Sequence, residues 1–177
     1  MNDDRILMRR IRAGDQRAFA ALVERHGGRM LAVAAHLLGS RADGEDAVQR
    51  AFLRCYTAAS AYRSEWAVST WLYRILTNVC LDEIRRRRAR HEDDGRQRLP
   101  SDSSPHRSAE RAAARLDVAR ALAKVPNEAR ALLVLRYADG LSYGELARVR
   151  GITVNTVKSQ LARGKAILKS ALAEAPR

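Results

Sequence analysis

Residues 69–90 read STWLYRILTNVCLDEIRRRRAR. Leu72, Ile75, Leu76 and Val79 recur at helical spacing, and Trp71, Arg74, Asn78 and Arg85 fall on the opposite side. An indole ring, an amide and guanidinium groups along one stripe suit single-stranded nucleic acid. Bases stack on rings, and arginine neutralises phosphate. Tyr62 and Trp66, in the loop just before, add stacking surfaces. Trp71 fits equally well as a core anchor at the start of the helix. The segment closes on five arginines in six residues. Arg85, Arg86, Arg87 and Arg88 sweep nearly the whole helix circumference. Arg86 and Arg90 enter the sector that was apolar one turn earlier, so the helix is expected to leave its core near residue 86 and project as a charged tip. A helix C-terminus favours one or two cations, not five.

A second constellation lies in LSYGELARVRGITVNTVKSQLARGKAILK (141–169). Ser142 followed by Glu145 has capping-box spacing, Gly151 permits a turn, and Thr153 is placed to cap the next helix. Two short helices joined this way make a helix-turn-helix, whose second helix commonly enters the DNA major groove. On a helical wheel Val154, Val157, Leu161, Gly164 and Leu168 cluster on the packing side. Asn155, Thr156, Ser159 and Arg163 face away, with Lys158 and Lys165 flanking them. Those groups match base edges and phosphates. An ordinary amphipathic helix with a solvated polar face is the plainer alternative.

In DGEDAVQRAFLRCY (43–56), Val48, Ala51, Phe52 and Cys55 share one face, and Asp46, Gln49, Arg50 and Leu53 the other. An outward leucine among polar residues suggests a protein-docking surface, though a merely solvated face fits too. Cys55 and Cys80 are the only cysteines, both in apolar helical patterns without metal-ligand spacing. They read as buried thiols, and no cofactor or metal is expected.

These segments need helices to hold them. The chain has 177 residues, 46 % apolar but only 5 % aromatic, so the core must be built from Leu, Ala, Val and Ile. Charge sits in two blocks: residues 1–90 and 114–177 carry +7 each, and 91–113 carry −1, within a net +13. A polyanionic partner follows, nucleic acid being the commonest. RHEDDGRQRLPSDSSPHRSAER buries almost nothing and reads as a flexible linker. The expectation is an all-α chain of two small helical domains, 1–90 and 114–177, joined by a linker over 91–113. In the first, Ile6, Leu7 and Ile11 begin a helix that stops near Gly14, and Asp15 caps the next. Gly27-Gly28 interrupts or bends the chain. A helix then runs from about Asp43 to Ala59. In the second domain a helix is expected over about 112–124, and another after Pro126. No apolar run is long enough for a membrane span, and the N-terminus lacks a signal-peptide core. The chain therefore reads as cytoplasmic, without membrane insertion. No phosphate-binding glycine loop or nucleophile–base pair appears, so an enzyme is not expected.

Taken together, the segments resemble the bacterial RNA polymerase sigma factors of the extracytoplasmic-function (ECF) group, over nearly the whole chain outside the linker. DGEDAVQRAFLRCY looks like the region 2 segment that grips the clamp helices of the polymerase largest subunit. STWLYRILTNVCLDEIRRRR looks like the pattern that follows the −10-reading loop. VPNEARALLVLRYADGLSYGELARVRGITVNTVKSQLARGKAILK looks like region 4, which reads the −35 element and touches the β flap. The resemblance implies a promoter-specificity subunit that binds core RNA polymerase, recognises both elements and promotes melting. It puts Asp46, Gln49 and Phe52 in the polymerase-binding helix, with Phe52 as inward support. Residues Tyr62 to Ser69 would form the −10 loop, and Trp71, Arg74, Asn78 and Arg85 to Arg88 would hold nearby DNA. Thr153, Asn155, Thr156, Lys158, Ser159 and Arg163 would face the −35 duplex. The group also implies an anti-sigma factor as partner. Trp66 stands where Phe is often seen, Gln160 where Arg is common, and His26 where Tyr is frequent. The rival readings are a stand-alone helix-turn-helix regulator and a decoy that titrates an anti-sigma factor.

Overall fold

A computed structural model describes residues 3–94 and 109–174, and every element in it is helical. The order is α1 (Asp3–Arg12), α2 (Gln16–Leu38), α3 (Arg41–Thr57), a 3-10 turn (Ala59–Ala61), α4 (Val68–Asp94), α5 (Ala109–Lys124), α6 (Asn127–Ala138), α7 (Tyr143–Arg150) and α8 (Val154–Ala173).

Local chemistry explains most boundaries. Asp3 and Asp4 open α1 and Arg9, Arg10 and Arg12 close it, each sign at the end of the helix dipole that favours it. Asp15 accepts hydrogen bonds from the backbone N–H groups of Arg17 (2.9 Å) and Ala18 (3.1 Å), capping α2 as its sequence position predicts. Ser40 caps α3 through the Asp43 N–H, so that helix starts two residues earlier than expected. Gly44 lies where α3 meets α2 closely: a Cβ there would stand 2.9 Å from the Ala35 nitrogen.

Gly27-Gly28 does not break the chain; α2 runs through both. Two glycines cost a helix roughly 2 kcal/mol, and packing on both sides outweighs this. Leu22, Met30, Val33 and Leu37 of α2 are all buried, under α1, α3 and α4. The Phe52 ring also approaches Gly27.

In the second half α6 is the hub: Ala131, Leu132, Leu133 and Leu135 are buried, and the helix packs on α7 and α8. Helix extends into both ends of the segment expected as linker. Residues 91–94 continue α4 and 109–113 belong to α5, while 95–108 lie outside the described residues.

The two halves also touch, which no sequence pattern indicated. Helix α2 packs on α6, and α4 packs on α6 and α7. Arg130 of α6 is buried at this junction. It donates to the Ala123 and Val125 carbonyls at the end of α5 (2.8 and 3.0 Å) and to the Leu37 carbonyl at the end of α2 (3.5 Å). Burial, reinforced by the nearby Arg88 charge, lowers its pKa to about 10.

Candidate nucleic-acid interface

The helix-turn-helix is built as its residues predict. The Ser142 hydroxyl accepts from the Glu145 N–H (3.3 Å), and the Glu145 carboxylate accepts from the Ser142 N–H (2.8 Å) and hydroxyl (2.7 Å). Those bonds hold the Glu145 carboxyl below the ordinary carboxylate range. Gly151 turns the chain at φ 66°, where a side chain would be strained. Thr153 caps α8 through the Thr156 N–H (3.1 Å). Val157, Leu161 and Gly164 are buried, and a Cβ on Gly164 would meet Ala129 and Leu133 of α6. Val154 is 39 % exposed, contrary to the wheel: at the first turn of α8 it lies beyond the reach of α6. Thr153, Asn155, Lys158, Ser159 and Arg163 are exposed. The Thr156 hydroxyl sits 2.8 Å from that of Thr153, inside the cap. Among the described residues, the Asn155, Lys158 and Arg163 side chains make no hydrogen bond or ion pair, so their donors are available. Lys165 instead lies over the Tyr137 ring, 5.3 Å from its centre.

The loop before α4 is ordered by three clasps. Tyr62 donates its hydroxyl to the Trp66 carbonyl (2.7 Å), closing a short excursion over Arg63, Ser64 and Glu65. Tyr62 packs edge-on against Trp71, with ring centres 5.4 Å apart. Arg74 lies over the Trp66 ring at 5.2 Å. Helix α4 begins at Val68, so Val68 and Ser69 leave the expected loop for the helix.

Two of the residues expected at −10 DNA lie deep. Tyr62 and Trp71 are 5 % and 7 % exposed. A wheel gives direction but not depth, and the rings cover one another at the start of α4. They support the loop, while the half-buried Trp66 is the ring it presents.

The arginine run is not a free tip. Arg87 turns toward α3 and pairs with Glu83 (3.0 Å) and Asp43 (2.8 Å), away from the α4 stripe that carries Arg74 and Asn78. Arg86 and Arg90 also approach Glu83. Burial alone would raise the Glu83 carboxyl, but hydrogen bonds from Arg87 and Arg50 outweigh it and hold the group below its usual range. Arg85 pairs with Asp82 and with Glu128 of α6, and Arg88 donates to Asn127 (3.3 Å). Arg150 of α7 donates to Asn78 (3.2 Å) and pairs with Glu128, while Arg74 reaches the Arg148 carbonyl (3.4 Å). Arg74, Asn78, Arg85 and Arg88 thus face the second half of the chain. Glu128 and Arg150, their acidic and basic counterparts, were not singled out from sequence; their partners on α4 lie over 40 residues away.

On the opposite side of α4, Asp43, Asp46, Gln49, Arg50, Leu53, Glu83 and Arg87 line a cavity of about 390 Å³. Leu53 is 65 % exposed at its edge, and Phe52 is buried beneath, as expected. Arg50 is held to Glu83 at 3.2 Å. No group of three or more metal-ligating side chains occurs among the described residues, and none of their helices is long and apolar enough to cross a membrane.

Comparison with known proteins fixes the family. Residues 22–90 match Sigma-70 region 2, and residues 115–168 match Sigma-70, region 4. The ECF RNA polymerase sigma factor SigM of Mycobacterium tuberculosis is 36 % identical, over 88 % of this chain and 78 % of its own length. The chain belongs to the ECF sigma factors. The solved structure of CnrH in complex with the cytosolic domain of CnrY superposes with a TM-score of 0.75 at 29 % identity, covering 98 % of this sigma factor and 99 % of CnrH. The Bartonella quintana sigma factor RpoE, solved with the anti-sigma factor NepR, shares the fold at TM-score 0.72 and 22 % identity, over 89 % of this chain and 98 % of its own. A stand-alone helix-turn-helix regulator is not favoured, because the first half matches region 2. Sigma factors act in transcription initiation as non-enzymatic factors.

Proposed function

We propose that this sigma factor joins core RNA polymerase through the α3 face and brings two promoter elements to it. Asp46, Gln49, Arg50 and Leu53 form the docking edge for the clamp helices of the largest subunit, with Phe52 as the buried prop. Thr153, Asn155, Thr156, Lys158, Ser159 and Arg163 meet the −35 duplex, and the second domain touches the β flap. The loop around Trp66, with Arg74, Asn78, Arg85, Arg86 and Arg88, holds melted −10 DNA. Melting draws on binding energy, since unpaired bases stack and bond where paired ones cannot reach. The domain limits follow the same reading: 1–90 for polymerase and −10 DNA, 114–177 for −35 DNA. The protein works in the cytoplasm and catalyses no reaction of its own. An anti-sigma factor as partner is proposed from the two partner-bound relatives.

One observation carries the −35 assignment: the doubly capped α7–α8 pair leaves Asn155, Lys158 and Arg163 as exposed donors without partners among the described residues. The test is transcription in vitro with purified core polymerase and a promoter library. Promoter-specific transcripts that require both elements are expected. Tight duplex binding without polymerase, and no promoter-specific transcripts, would overturn the proposal.

A further inference from the structure

We propose that Arg12, at the end of α1, is a positioning residue for −10 specificity. This rests on the assignment of the loop after Tyr62 to −10 DNA. The α1 helix lies outside the segments matched to the family and outside every residue assigned to DNA above.

The geometry is a clamp at the loop's entry. Arg12 donates from Nε to the Ala59 carbonyl (2.9 Å), and from Nη2 to the carbonyls of Ser60 (3.2 Å) and Tyr62. The guanidinium carbon also sits 5.8 Å from the centre of the Tyr62 ring. The Ala59 and Ser60 carbonyls belong to the 3-10 turn, and that of Ala59 also accepts from the Tyr62 N–H (3.3 Å). One planar cation with a fixed fork of donors ties them together, which a lysine ammonium cannot match. Tyr62 then passes the constraint onward: its hydroxyl holds the Trp66 carbonyl and its ring packs on Trp71. Arg74 braces the far side of Trp66. The loop's two ends and its half-buried Trp66 ring are therefore fixed relative to α4 before any DNA arrives. Discrimination depends on such preorganisation, because a loop that must be ordered on binding loses part of the energy that separates right from wrong bases.

Arg12→Ala, Arg12→Lys and a control, Arg9→Ala, separate this role from others. Arg9 is exposed on the same helix and carries the same charge. Each variant is loaded on core polymerase, and −10 and −35 preferences are read from a randomised promoter library. Arg12→Ala is expected to lower −10 discrimination about tenfold, roughly what one lost charge-assisted hydrogen bond is worth. Core affinity and −35 preference should hold, and Arg9→Ala should match wild type. In the free chain, amide hydrogen exchange across residues 62–67 should quicken in Arg12→Ala. Full −10 discrimination in Arg12→Lys would make the effect one of charge alone and overturn the proposal. So would unchanged exchange across the loop, or a loss of −10, −35 and core binding in parallel. A wild-type holoenzyme indifferent to −10 sequence would instead overturn the underlying assignment, and the role of Arg12 with it.

Discussion

Glu128→Ala tests whether the two halves hold one another shut. Glu128 accepts from Arg85 at 3.3 Å and pairs with Arg150. Glu128 and Arg85 are 44 % and 63 % exposed, so that pair contributes at most about 1 kcal/mol. The Arg150 side chain is only 11 % exposed. Truncating its partner leaves that guanidinium with the Asn78 amide oxygen alone while still largely out of water. A charge left without its partner in such a place costs about 1–3 kcal/mol. The two contributions together come to about 2 kcal/mol, or roughly a 30-fold shift from closed to open forms. Small-angle scattering of the free protein should show a larger radius of gyration. A labelled single-stranded −10 oligonucleotide should bind the variant more tightly, because Asn78 and Arg85 are released. Glu128→Gln, which keeps the shape and loses the charge, should show most of the same change. An unaltered radius together with unaltered oligonucleotide affinity would refute the reasoning.

Three further outcomes are expected. Arg163→Ala should weaken −35 recognition by about 1–3 kcal/mol if it reads a base, with relaxed preference at one position; competition binding across −35 variants checks this, and a uniform loss would reassign it to phosphate. Leu53→Asp should reduce core polymerase affinity, measured by fluorescence anisotropy, while the melting temperature stays put, since the side chain is 65 % exposed. Glu83→Gln should lower stability at neutral pH. Because the folded Glu83 pKa lies below the ordinary 4.5, its contribution is present above that value and is lost as pH falls through the folded pKa. Urea melts should therefore show wild type and variant converging in acid.

The caps were legible in sequence because capping is local. Asp15, the Ser142–Glu145 pair and Thr153 each act on a backbone group two or three residues away. The outward face of α3 and most of the recognition face of α8 were legible for the same reason: a wheel needs only one helix. Depth was not legible. Trp71 points outward from α4 alone, but its ring packs against that of Tyr62 from the preceding loop, and both are buried. The glycine pair misled because local propensity favours a break there, while burial along α2 comes from four other helices. The arginine run misled in part because two of its neutralising groups, Asp43 and Glu128, lie 44 and 43 residues from the arginines they meet, beside the local Asp82 and Glu83. Arg12 gave no signal either, since its acceptors are backbone carbonyls some 50 residues on, and carbonyls carry no sequence signature.

Cys55 and Cys80 sit buried on α3 and α4, where desolvation pushes both thiols up to about 12. At neutral pH both therefore stay almost wholly protonated, and the thiolate is the species that attacks peroxides and disulfides. A pulse of oxidant therefore finds almost no nucleophile on the folded protein. Burial thus makes the chain's two cysteines poor detectors of oxidant while it stays folded.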